Sequence, residues 1–135
     1  MLMSVVPDGP PPSARAPGPL ARFVRAFGFA GHGVWHVIRT ERNMRVHLAV
    51  AAVVVMAGVL WHVSAADWAV LAIAIGLVLT TETLNSALEA LTDLHTSEYH
   101  PLAKTAKDAA AGAVLIASAA AVAVGVAVFG PRIWS

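Results

Sequence analysis

The chain is 135 residues long, one domain's worth, but with 58% hydrophobic and 13% charged residues it is too apolar for a soluble domain of that size; a mean hydropathy of +0.71 marks an integral membrane protein. The formal net charge of +1 hides a lopsided distribution along the chain, and the distribution carries more information than the sum. No cysteine is present, which excludes disulfides and thiol chemistry.

Residues 1–19 hold most of the prolines and lack the apolar run that a secretory signal needs, so they are expected to form a disordered cytoplasmic tail. From Leu20 to Arg39 the pattern becomes helical. Leu20, Phe23, Val24, Phe27, Val34 and Ile38 lie on one side, and Arg22, Arg25, His32, His36 and Arg39 on the other. Basic residues opposite large apolar ones predict an amphipathic helix over 20–39 lying in the headgroup region, although Gly28, Gly31 and Gly33 weaken it or mark a bend. The competing reading is an ordinary amphipathic helix packed on protein.

Three spans are predicted next, at 47–63, 66–91 and 109–130, against the ~20 residues that cross ~30 Å of hydrocarbon. The first two are joined by a link short enough to force a tight helical hairpin. The stretch 92–108 reads as a polar loop with Pro101 as a helix breaker. The expected fold class is therefore all-α, integral membrane, with the domain proper covering 20–135. No internal repeat suggests a transporter built from duplicated halves.

Charge orients this bundle. Arg15, Arg22, Arg25, Arg39, Arg42 and Arg45 precede the first span, Lys104 and Lys107 follow the second, and Arg132 alone is left for the far side. The positive-inside rule then places the N-terminus and the 92–108 stretch in the cytoplasm, with the protein in the cell's inner (plasma) membrane. Trp61, Trp68 and Trp134 fall together at the outer interface, as an aromatic belt would.

The second span ends in an acidic wall. At 100° per residue, Glu82, Asn85, Ser86, Glu89 and Asp93 share about a third of the helix circumference. A carboxylate facing lipid costs ~2.5–3.5 kcal/mol on insertion scales, so the wall must turn toward protein, water or a bound cation. The third span is rich in Ala, Gly and Ser, which permits close helix contact but offers almost no polar partner. Compensating charge must come from Arg22, Arg25, Arg42, Lys104 or Lys107, from a metal, or from a neighbouring subunit. Carboxylates and a carboxamide are hard oxygen ligands that suit Mg²⁺. The six histidines are dispersed without the spacing that zinc requires.

Four motifs, ERNMRVH at 41–47, ETLNSALEALTD at 82–93, EYHPLAKTAKD at 98–108 and the AGAV that follows, resemble the prokaryotic diacylglycerol kinase family, small three-span lipid kinases. The likeness covers nearly the whole chain after the tail, and the RNMR-V-H and SEYHPLAK variants are more similar to the branch that phosphorylates undecaprenol. The resemblance implies a homotrimer with shared active sites that transfers the γ-phosphoryl group of MgATP to a lipid hydroxyl at the cytoplasmic face. Such an enzyme has no P-loop and no nucleic acid partner. Matched by motif, Glu82 is the general base, Asn85 a polar group ordering the site, and Glu41 and Glu89 the Mg²⁺ ligands, also on the ATP side. Glu98, Tyr99 and His100 match the nucleoside segment, Lys107 and Asp108 the phosphate-contacting pair, and Arg22 and Phe29 further nucleotide-side positions. The lipid would lie against Arg22 and Glu82. His47 and Ala30 depart from the diacylglycerol-specific branch, which carries an acid and a serine there. Diacylglycerol remains the alternative substrate.

Two readings from other classes compete. A small cation or proton channel explains Glu82, but a conducting path needs polar groups through the full depth and the third span has no acid. A purely structural membrane oligomer would tolerate loss of the carboxylates.

Overall fold

The computed structural model describes residues 18–95 and 100–134. Every element among them is an α-helix: α1 Pro19–Thr40, α2 Arg42–Leu60, α3 Ala65–His95 and α4 Pro101–Ile133. The expected tail lies outside the described residues except for its last two. The chain divides into two units, residues up to Gly33 and residues from Val34 onward. In the first unit α1 is an uninterrupted helix on which Phe23 and Phe27, one turn apart, meet edge to face at 5.0 Å. Gly28, Gly31 and Gly33 cause no break in it.

In the second unit α2, α3 and α4 are each long and apolar enough to cross a membrane. The helix limits differ from the expected span limits throughout: α2 stops at Leu60 rather than 63, α3 covers Ala65–His95 rather than 66–91, α4 ends at Ile133 rather than 130, and the two largest differences are at helix starts. Helix α2 begins at Arg42 rather than at 47, and α4 begins at Pro101 rather than at 109. The second difference has a plain cause. Proline at the first helical position is favourable because its missing N–H would be unpaired there anyway, and the His100 side chain accepts the Leu102 backbone N–H at 3.3 Å. Pro101 starts a helix where the sequence reading expected it to break one.

The packing follows a seven-residue rhythm. On α4, Ala103, Lys107, Ala110, Val114, Ala117, Ala121, Val124 and Val128 form the covered stripe, at alternating spacings of four and three. On α3 the fully buried positions are Leu71, Ala74, Val78, Glu82 and Asn85. This 3.5-residue repeat is the signature of left-handed helix packing, and small residues on the α4 stripe let the two backbones approach. The helices run antiparallel, for Asp67 near the start of α3 pairs with Arg132 at the end of α4 at 2.7 Å, while Asp93 near the end of α3 pairs with Lys107 near the start of α4.

The end carrying Asp67 is built as a clasp. Ser64 and Asp67 cap α3 reciprocally: the Asp67 N–H donates to Ser64 Oγ at 3.1 Å and the Ser64 N–H donates to Asp67 Oδ2 at 3.1 Å. Val63, Leu71 and Val128 form the buried cluster there, with Trp68 and Phe129 packed on it. The α2–α3 link needs His62 in the left-handed region, at φ 50. Trp61, Trp68 and Trp134 all gather at this end, as expected, but Trp68 turns inward onto the core rather than serving only as an outward belt.

Gly58 permits the inward turn, because a Cβ there would lie 2.7 Å from Trp68 Cη2. Gly58→Ala is expected to lower the thermal unfolding midpoint in detergent micelles, with an overpacking cost of about 1–3 kcal/mol. An unchanged midpoint would show that the indole ring has room to swing aside.

Candidate active site

The stripe that buries Leu71, Ala74 and Val78 continues down α3 into polar residues. Glu82 is 2% exposed and Asn85 8% exposed, Ser86 and Glu89 are half-covered, and Asp93 is open. The acidic wall is thus the packing face of the helix, and its members emerge progressively toward the C-terminal end. Counted at ~1.5 Å per residue, Glu89 lies about 10 Å further along the axis than Glu82. At 31 residues, α3 is about 46 Å long against a hydrocarbon layer of ~30 Å, so one end must project beyond it.

Local bonds order this wall. The Asn85 carboxamide donates from Nδ2 to Glu89 Oε1 at 3.0 Å, one helical turn on. Asn85 Oδ1 is buried and accepts no hydrogen bond among the described residues. His47 Nε2, on α2, lies 3.9 Å from Glu82 Oε2. Thr81, Thr83, Ser86 and Thr92 return their hydroxyls to backbone carbonyls of α3, which removes them as partners for the acids.

Glu41 is the residue between α1 and α2. It occupies the N-cap of α2 without a capping side-chain bond, and the Thr40 hydroxyl lies 3.4 Å from its Oε1. Of the anticipated residues, Glu82, Asn85 and Glu89 thus share one wall of α3, with Asn85 bonded to Glu89 and His47 of α2 approaching Glu82.

The other anticipated residues fall elsewhere. Lys107 and Asp108 are adjacent but engage different partners: Lys107 pairs with Asp93 across to α3, and Asp108 pairs with Lys104 one turn away on α4. Both pairs reach solvent. His100 is the N-cap of α4. Arg22 and Phe29 lie in the first unit, exposed. Glu98 and Tyr99 lie outside the described residues. Sequence reasoning missed two contacts, the Asp93–Lys107 pair and the approach of His47 to Glu82. Lys107 recurs at the α4 packing period, a signal that could have turned it toward α3. For His47 no signal within α2 names its partner.

Among the described residues no group of three or more His, Asp or Glu side chains is close enough to hold a metal unaided. Mg²⁺ takes one or two protein carboxylates and completes its shell with water and phosphate oxygens. Glu41, Glu89 and the unpartnered Asn85 Oδ1 are hard oxygens of the type it requires.

The sequence pattern of the prokaryotic diacylglycerol kinases matches residues 28–129. The chain belongs to that family. It is similar to the undecaprenol kinase of Bacillus subtilis (strain 168), 42% identical over 84% of this chain and 93% of that protein. It is 48% identical to a diacylglycerol kinase of Synechocystis sp. over 74% of this chain and 58% of that longer protein. The diacylglycerol kinase of Escherichia coli (strain K12) is 35% identical over 75% and 83%. Family and helices together make this a multi-pass membrane protein of a lipid kinase family.

Because both members of the Asp93–Lys107 pair reach water, a double-mutant cycle with Asp93→Ala and Lys107→Ala is expected to give a coupling of roughly 0.2–1 kcal/mol that shrinks with added salt. A coupling well above that range, insensitive to salt, would mean the pair is shielded and structural.

Proposed function

We propose that this chain is an ATP- and Mg²⁺-dependent lipid kinase that converts undecaprenol to undecaprenyl phosphate. The observation that carries the reading is the pairing of a fully covered Glu82 in a spanning helix with a more open Glu89 two turns further along the same wall. The likeness to the undecaprenol kinase over 93% of that protein supports the choice of lipid. Diacylglycerol is the second reading, favoured by the 48% identity to the Synechocystis enzyme.

The roles follow from depth. Glu82, nearest the apolar layer, takes the proton from the lipid hydroxyl as its oxygen attacks the γ-phosphorus and ADP departs. Glu89 and Glu41, more open than Glu82, would hold the Mg²⁺ of the nucleotide, and Asn85 keeps Glu89 in place through its 3.0 Å bond. Mg²⁺ would neutralise charge building on the phosphate oxygens. Lys107, held only by a solvent-reaching pair with Asp93, can exchange that carboxylate for a phosphate at little cost. Asp108, by the same argument, can leave Lys104. The assignments of Arg22, Phe29, Glu98, Tyr99 and His100 to the nucleotide, and of Arg22 to the lipid, rest on motif resemblance.

The remaining features are proposed with it: α1 lies in the interface, the acidic end faces the cytoplasm across the inner membrane, and three copies assemble with sites shared between them. The arginines before α2 and Lys104 and Lys107 at the start of α4 support the orientation. The exposed Ile73, Leu77, Leu115, Ile116 and Val122 supply surface for lipid and for neighbouring subunits.

The test is transfer of labelled γ-phosphate from MgATP to undecaprenol and to diacylglycerol in matched micelles. Undecaprenol should turn over faster, and Glu82→Gln and Glu89→Gln should each reduce transfer by ~10²–10⁴-fold or more. A clear preference for diacylglycerol would overturn the choice of lipid, and undiminished transfer by Glu82→Gln would overturn the assigned base.

A further inference from the structure

We propose that His47 is the positioning residue for Glu82, holding the carboxylate toward the lipid hydroxyl. The inference rests on the kinase reading above and deepens it. Among the described residues His47 is the basic side chain within ion-pair distance of Glu82, with Nε2 3.9 Å from Oε2. A covered carboxylate needs a partner of opposite or dipolar character, and α2 supplies it.

The ring also stands at a junction. A groove of about 370 Å³ opens between α2, α3 and α4, lined by Val50, Leu71, Ala74, Val78 and Val122, with His47 and Ser118 its polar side chains. His47 therefore touches both the base and an apolar channel continuous with the spanning helices. A hydrocarbon chain lying there would end, at its polar terminus, beside the imidazole and the carboxylate together. The 3.9 Å separation is too long for a hydrogen bond, and such contacts commonly tighten only when substrate docks. Because the ring faces Glu82 and the apolar groove, its effect should fall on turnover and not on MgATP affinity.

The test compares the full-length chain with His47→Leu and His47→Gln in undecaprenol-containing micelles. His47→Leu keeps bulk and removes polarity; it is expected to lower kcat by about tenfold to a hundredfold, the loss typical of removing an outer orienting partner, with KM for MgATP unchanged. His47→Gln, which restores an N–H at similar reach, should recover most of the loss. Thermal unfolding supplies a readout apart from activity: His47→Leu should lower the midpoint, and adding Glu82→Gln to it should restore the midpoint, because the uncompensated charge is then gone. Wild-type turnover in His47→Leu, a raised KM with kcat intact, or equal losses in both variants would each overturn the positioning role. Absence of transfer by the wild-type chain to any lipid would instead overturn the kinase reading itself.

Discussion

A carboxylate inside a helix that crosses lipid is the constraint around which this molecule is organised. Facing hydrocarbon it would cost ~2.5–3.5 kcal/mol, and no local bond on α3 removes that cost. The fold avoids it by placing Glu82 on the stripe already committed to helix packing, directly below Leu71, Ala74 and Val78. The seven-residue rhythm that buries apolar side chains in the upper part of α3 therefore also decides where the acids point. His47 then meets Glu82 because α2 packs antiparallel against that same face.

The two ends of the bundle differ in how firmly they are held. At one end a reciprocal cap, the Asp67–Arg132 pair, an inward-turned Trp68 and the Trp61–Phe129 contact at 5.8 Å tie all three spanning helices together. At the other, α3 and α4 are joined through a pair that water reaches, Asp93–Lys107, and the neighbouring Lys104–Asp108 pair lies within α4 and is open as well. Exposed pairs hold weakly and exchange readily with other ions. A rigid end thus anchors the helices in register, and under the proposed function the labile one is the end offered to the nucleotide.

Much of this was legible in the sequence. Three apolar segments gave three spanning helices, and the 3.6-residue geometry of Glu82, Asn85, Ser86, Glu89 and Asp93 put them on one wall, as the structure has them. The start of α4 was not, because Pro101 was weighed as an interruption when its position after a capping His100 makes it a first-turn residue. The start of α2 was missed for a related reason: Arg42, Asn43 and Arg45 are polar, and polarity ends a predicted span without ending a helix. Contacts between helices were the least accessible. The engagement of Lys107 by Asp93 follows only once α3 and α4 are seen to be antiparallel and in register. His47 likewise acquires a partner only from the approach of α2 to α3.

The central claim is that the acidic wall of α3 meets a triphosphate at one edge of the membrane and a lipid alcohol at its deepest member. A structure of the chain in lipid nanodiscs with magnesium and a non-hydrolysable ATP analogue measures this directly. The account predicts the terminal phosphate beside Glu82, with the metal held by Glu89 and Glu41. A nucleotide docked at the Asp67–Arg132 end, or a Glu82 side chain turned outward to the acyl chains, would contradict it.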